Sequence, residues 1–201
     1  MSVAFVHGFI LAFGLILPLG VQNVFVFNQG AVQMSFFKAL PAIITASVCD
    51  TILITLAVFG VSFVVLEFIW LKTILIAAGT CFLIYMGIVT WRSKPAVERE
   101  SGSFTAKKQM IFAVSVSLLN PHAILDTIGV IGTSSLKYAG AGKAAFAIAC
   151  IFVSWIWFTS LAITGRVIGT LDQSGKFLIV LNKVSAVIMW GTVVYIVKAF
   201  I

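Results

Sequence analysis

Two carboxylates, Asp50 and Asp126, stand inside long apolar runs, and they carry the clearest capacity for chemistry in this chain. A carboxylate at the centre of a membrane helix costs about 2.5–3.5 kcal/mol on insertion scales. Such a group can bind a cation, carry a proton or pair with a base. No Lys or Arg is central in any apolar run, and Lys183 and Lys198 lie near the ends of the last one, where they can snorkel to the surface. Pairing with one of those bases is the structural alternative for either acid. A carboxylate facing a central cavity is the functional reading. Ser47, Thr51 and Thr55 share one helical arc with Asp50, although hydroxyls at that spacing also bond back to the carbonyl four residues earlier. His122 precedes Asp126 by one turn on the same face, as a proton relay, a partner that fixes the carboxylate, or a packed polar group.

Helix breakers form the second constellation. Pro18, Gly20, Gln22 and Asn23 interrupt the first apolar run, and Asn120 and Pro121 interrupt the fourth, directly before His122 and Asp126. Proline removes an i→i−4 hydrogen bond and clashes with the previous turn. In hydrocarbon the freed groups need partners, so broken helices are tolerated where they line a protein cavity. Half-helix N-termini then offer N–H groups to an anionic group, and freed carbonyls receive cations. One kink alone is a weak signal; one in each half is a stronger one.

The elements that must position these residues follow from composition. The chain has 201 residues, 61% hydrophobic and only 9% charged, with a mean hydropathy of +1.17. A soluble domain is about 45–50% apolar and about 25% charged, which excludes that class. Six spans of about 20 residues leave connectors and no room for a soluble catalytic domain, and no GxxxxGK[ST] phosphate loop occurs. The expected fold is an all-α polytopic membrane protein of about six transmembrane helices, built as two inverted three-helix repeats with broken helices. The first span falls within residues 3–27 and ends in the turn-forming cluster Asn28-Gln29-Gly30. Residues 39–66 and 73–91 follow, with an interfacial turn carrying Trp70 between them. The second half repeats the plan over residues 110–136, 144–165 and 177–201, with Arg166, Asp172 and Lys176 in a connector. The whole of 1–201 is one transporter domain, with halves at about 1–91 and 110–201 around a polar loop, 92–109. An odd number of spans per half inserts the halves in opposite directions, the plan of inverted-repeat transporters.

The net charge of +7 sits between apolar runs, where the fitting partner is anionic lipid headgroup and not nucleic acid. Placing the 92–109 loop in the cytoplasm puts nine bases on that side (Lys38, Arg92, Lys94, Arg99, Lys107, Lys108, Arg166, Lys176, Lys183) against four (Lys72, Lys137, Lys143, Lys198). The positive-inside rule favours that orientation. Cys49, Cys81 and Cys150 lie in apolar stretches without CxxC spacing and read as free thiols. The N-terminus has no basic n-region and reads as a retained first helix. With two histidines and no HExxH or nucleophile elbow, nothing points to an enzyme or to a cofactor. Gly165-x-x-x-Gly169 is the candidate stripe for close helix packing, as in a homodimer.

The run Leu17-Pro18-Leu19-Gly20-Val21-Gln22-Asn23-Val24-Phe25-Val26, followed by Asn28-Gln29-Gly30, resembles the first-span signature of the lysine/arginine exporter (LysE-type) family of bacterial amino-acid exporters. Leu119-Asn120-Pro121-His122-Ala123-Ile124-Leu125-Asp126 is similar to its second signature, and Ser154-Trp155-Ile156-Trp157-Phe158 and Ile179-Val180-Leu181-Asn182 fall where the family has comparable runs. The chain departs from the pattern at Val21, where the family usually has Pro, and at Cys49, where it usually has Ser. The resemblance implies export of amino acids, typically lysine or arginine, across the bacterial inner (plasma) membrane, driven by an ion gradient in which the proton is the expected partner. Related branches export neutral amino acids or metal cations.

The residues fit a substrate with a cationic side chain: broken-helix ends near Gly20 and Pro121 supply N–H donors to its α-carboxylate, and Asp50 and Asp126 meet its positive groups. Exchange of one entering proton for one leaving monocation cancels an electrical cost of about 2.3 kcal/mol per charge per 100 mV. A divalent-metal exporter is an alternative on Cys49, Asp50, His122 and Asp126, but Cys49 and Asp50 are adjacent and point apart on a helix, so no metal site is assigned. A non-transporting membrane subunit is the alternative from another class, and it has no need of deep acids and paired breaks. The topology is testable with Ser101→Cys in a background lacking the native cysteines. An impermeant thiol reagent should leave it unlabelled in intact cells and label it in inverted vesicles; labelling in intact cells would reverse the orientation.

Overall fold

The computed structural model describes residues 1–17, 20–61, 104–118 and 126–171, together with Ile124 and scattered helical positions between 77 and 92 and between 179 and 198. Every regular element among the described residues is helical. Helix α1 is Ser2–Ile16, α2 is Val21–Val32, and α3 is Phe36–Leu56, continued by a π-helical segment, π1, at Ala57–Val61. Helix α4 is Ala106–Leu118; a second π-helical segment, π2, spans Asp126–Gly132 and runs into a single turn, Thr133–Ser135. Helix α5, Gly140–Leu171, is the longest at 32 residues, about 48 Å at 1.5 Å per residue.

Phe36–Gly60 and Gly140–Leu171 are each long and apolar enough to cross a bilayer, and α1 with α2 makes a third span when counted as one helix bent by 79°. Outward faces are largely apolar, with Phe37, Ile44, Ile52, Phe59, Ile148, Phe152 and Ile163 all exposed. That is the surface of a protein whose solvent is lipid, and the chain is an integral membrane protein. The described positions of 77–92 and 179–198 are helical too, with Trp91 packed on Trp190 at 5.6 Å and Lys183 over the Trp91 ring at 5.6 Å.

Helix α5 serves as a ruler against which the rest is placed. Near its start, Phe146 meets His7 (ring centroids 5.5 Å) and Cys150 Sγ donates to the Gly8 carbonyl at 3.5 Å. Further along, Ser154 and Trp157 meet Asp50 and Asn23, and near its end Arg166 meets residues 33 and 34. The path α1–α2 therefore runs parallel to α5. Helix α3 runs against it, from a start beside Gln109 to an end where Lys143 sits over Phe59 at 5.9 Å. Helix α4 begins at the Lys38 end, and the chain after π2 reaches the His7 end, where Tyr138 Oη and His7 Nδ1 share a hydrogen bond of 2.9 Å. Lys38, Lys107, Lys108 and Arg166 thus cluster at one end of the molecule, and Lys137 and Lys143 at the other.

Several local expectations are corrected. Asn28-Gln29-Gly30 is not a turn but the interior of α2. The reason is packing: Gly30 lies directly on the backbone of Ala162, and a Cβ on Gly169 would sit 2.6 Å from the Ala31 carbonyl oxygen. Close backbone approach through small residues replaces the hydrophobic drive that lipid cannot supply, and it outweighs turn propensity. The Gly165-x-x-x-Gly169 stripe is consumed in this contact, against Phe27 and Ala31 of the same chain, and so is not an outer face for a second copy. Arg166 lies within α5 and not in a connector, and Lys107–Gln109, assigned to the loop, are the first turn of α4. The Trp70 turn lies outside the described residues.

The packing argument predicts that Gly165→Leu costs more than the about 1–3 kcal/mol typical of overpacking, because backbone and not a flexible side chain would have to move. Thermal melting of the detergent-solubilised protein should show a loss of several degrees. Gly14→Leu, at a glycine with nothing within 4 Å of its Cβ position, should melt like wild type; equal melting of the two variants would contradict the account.

Candidate functional site

The site begins with the break between α1 and α2. Helix α1 ends at Ile16, and α2 starts after Gly20, whose extended backbone (φ −79°, ψ 176°) re-aims the chain. In a continuous helix the Ile16 carbonyl would accept from the N–H four residues on. With the helix broken, the Asn23 side chain takes that place, its Nδ2 donating to Ile16 O at 2.8 Å. Trp157 Nε1 of α5 in turn donates to Asn23 Oδ1 at 3.2 Å, and the Trp157 ring meets Phe13 edge-on at 5.9 Å. The break is thus closed by side chains, as a membrane interior requires.

Gln22, the neighbour of Asn23, points to a different partner. Its Nε2 donates to Asp50 Oδ1 at 3.0 Å, while Ser154 Oγ donates to Asp50 Oδ2 at 2.8 Å. Gln22 and Asn23 are only 7% and 6% exposed, so both amides are spent inside the protein. Ser154 and Trp157 are three apart and share one face of α5; that face addresses the first turn of α2 and the acid of α3 together. Asp50 is partly buried, and both of these donors are neutral. Ser154 stands near the midpoint of α5, about 12 Å along the axis from Phe146 and about 18 Å from Arg166 at 1.5 Å per residue. The carboxylate is therefore far from both ends of the molecule.

The first turn of α2 adds backbone donors. Val24 N–H bonds to Gly20 O at 3.1 Å, which sets the start of the helix. The N–H groups before it belong to the positive end of the helix dipole. A carboxylate, two neutral donors and a helix N-terminus thus lie within one region, bounded by α1, α2, α3 and α5. Such a set can hold a zwitterion, or exchange a cation for a proton at the acid.

The other expected residues divide in two. Pro18, Asn120, Pro121 and His122 lie outside the described residues, and Asp126 is described only by its backbone, at the first position of π2. π1 and π2 pack on each other through Ala57, Ile124 and Ile128, which brings the end of the α3 span against the segment that Asp126 opens. Single-turn π segments inside helices are frequent at functional sites. The hydroxyl arc around Asp50 is corrected: Thr51 Oγ1 donates to Ser47 O at 2.7 Å and Thr55 Oγ1 to Thr51 O at 2.6 Å. Both hydroxyls donate within their own helix; Thr51 Oγ1 also accepts from Trp155 Nε1 of α5 at 3.1 Å, and Thr55 faces outward.

Ser154 and Trp157 are the residues that reading the sequence by charge alone passes over. Their signal was present, as hydrogen-bonding side chains three apart, on one helical face, in the charge-free run of residues 144–165.

Comparison with known proteins gives a consistent result. Residues 13–199 match the family described as LysE type translocator. The chain is 60% identical over 193 residues to a Bacillus subtilis (strain 168) protein named "Putative amino-acid transporter YisU", covering 96% of this chain and 88% of that one. It is 31% identical over 189 residues to proteins named arginine exporter protein ArgO from Salmonella enteritidis PT4 and Salmonella typhimurium LT2, covering 92% of this chain and 88% of theirs. No solved structure matches it. A first span bent just before Gly20-Val21-Gln22-Asn23, a mid-helix carboxylate and a match over nearly the whole length agree: the chain belongs to the LysE family of amino-acid transporters, and it is not an enzyme.

Proposed function

We propose that the protein is a secondary exporter of basic amino acids, lysine or arginine, that exchanges one leaving monocation for one entering proton at Asp50. The observation that carries this reading is the Asp50 carboxylate, far from both ends of α5 and held by an amide and a hydroxyl from two other helices. Neutral donors orient a carboxylate without cancelling its charge, so the positive partner comes from a transported ion. The similarity to proteins named arginine exporters supports the basic substrate.

In this mechanism the amino acid's α-carboxylate takes N–H groups from the first turn of α2, and its cationic group meets Asp50. Asp126, which follows Asn120, Pro121 and His122 in the sequence, contributes the second carboxylate from the other half. A proton on the acid replaces the departing cation. The inverted arrangement of halves draws support from chain direction: α1–α2 and α3 run opposite to α4–π2 and α5 respectively. The setting is the bacterial inner membrane, with the basic end of α3, α4 and α5 in the cytoplasm. Any homodimer would have to use a face other than the Gly165–Gly169 stripe.

The test is counterflow and gradient-driven uptake in proteoliposomes with labelled lysine, arginine, a neutral amino acid and Cd²⁺. Lysine or arginine should be moved, and an inward proton gradient should accelerate export. Asp50→Asn and Asp126→Asn should each lower uphill export by at least about tenfold, equivalent to about 1.4 kcal/mol, at normal protein abundance. Ser154→Ala removes one donor worth about 0.5–1.5 kcal/mol and should lower transport several-fold. Wild-type uphill export by both carboxylate variants would end the mechanism, and exclusive movement of Cd²⁺ or of a neutral amino acid would replace the substrate.

A further inference from the structure

A second polar cluster lies about 18 Å further along α5 than Ser154, at the end where α2 finishes and α3 and α4 begin. Gln29, Gln33 and Gln109 are all buried there. Gln33 Nε2 donates to Gln29 Oε1 and to the Phe104 carbonyl, each at 3.0 Å. Gln109 Nε2 donates to the same Phe104 carbonyl at 3.0 Å and to the Lys38 carbonyl at 2.9 Å. Arg166 reaches from α5 to the end of α2, with Nη1 on Gln33 O and Nη2 on Met34 O, both at 3.2 Å. Toward the interior, the Phe25 and Phe112 rings stack at 4.4 Å, and Phe104 meets Phe112 at 5.9 Å.

The bonds divide unevenly. Arg166 and the Gln29–Gln33 pair knit α2 to itself and to α5, where glycine contacts already lock the two backbones together. Gln109 knits Phe104 and α4 to the start of α3. Among the hydrogen bonds of this cluster, only Gln33 to Phe104 joins α2 to the α4 side, with the phenylalanine rings beside it. Gln109 Oε1 is buried and without a hydrogen-bond partner. The amide cannot be turned over to mend this, because its oxygen would then face two carbonyls. This closure is locally incomplete and gains a bond when water enters. Two units joined by one hydrogen bond and a patch of phenylalanine rings, with an acceptor awaiting water, are the features of a contact built to part.

Resting on the transport reading above, we propose that Gln33, Phe104 and Gln109 form a gate at this end of the molecule. It is closed in the structure and opens by moving the start of α4 away from α2, giving access to the Asp50 region. Arg166 is the fixed post: it holds the α2 end on α5 while α4 moves.

The test pairs Gln33→Cys with Phe104→Cys in a background lacking the three native cysteines Cys49, Cys81 and Cys150, so that no other thiol reacts. Lysine and arginine counterflow is measured before and after bridging with a short bis-methanethiosulfonate, and again after reduction. Bridging should lower counterflow at least tenfold and reduction should restore it, while the two single-cysteine proteins treated alike should keep their rates. Undiminished counterflow in the bridged protein would show a purely structural clasp and overturn the gate. Absence of counterflow in wild type as well would instead remove the transport reading, and the gate with it.

Discussion

The constraint on which the rest of this structure depends is the Ile16 carbonyl. Breaking a helix inside a bilayer strands backbone groups where no bulk water can reach them, each at a cost of several kcal/mol. Here the stranded acceptor is met by Asn23, from the first turn of the very helix that the break creates. Because Asn23 is tied down by Ile16 and by Trp157, the direction of α2 is fixed relative to α1 and α5. Gln22 is then fixed as well, being the next side chain around the same turn. Its amide can reach only what lies on that side, and what lies there is Asp50.

The long helix α5 turns this local solution into a three-dimensional one. Its Gly165 and Gly169 let the backbone of α2 come so near that the helices share a fixed register. Register then determines which polar groups of α5 meet which elements: Ser154 the acid, Trp157 the break, Arg166 the end of α2. In water such contacts would be a small addition to hydrophobic burial. In lipid, where apolar side chains gain little by leaving their surroundings, close backbone packing and satisfied polar groups carry the association. The same logic explains why the loop-side glutamines are used on the backbone carbonyls of Phe104 and Lys38 and not on one another alone.

The sequence made the class of protein legible at once, because an apolar content of 61% with 9% charge has no soluble solution. Asp50 was legible as a deep carboxylate from its place in an apolar run, and the first break from Pro18 and Gly20. Those features are local, fixed by residue type and the chemistry of hydrocarbon. The Asn28-Gln29-Gly30 segment misled for an equally physical reason. Turn propensity is a property of an isolated segment, whereas its glycine serves a helix contact with a partner more than a hundred residues away. Thr51 and Thr55 share the arc of Asp50, yet each donates its hydroxyl proton to its own helix, a choice that spacing does not disclose.

By itself, then, the sequence determined that this chain lies in a membrane, that its first span is broken near Gly20, and that a carboxylate is held deep in the second. It did so because burying a charge or freeing a backbone group in lipid is costly wherever the rest of the chain lies. Only the tertiary structure decided which groups answer those costs: Asn23 for the carbonyl, Gln22 and Ser154 for the acid, Arg166 for the end of α2. Apart from Asn23, seven residues from Ile16, those partners are distant in sequence, and any of several polar side chains could have served. The choice among them was made by the register in which α2 and α5 lock, which is a property of two surfaces and not of either sequence segment.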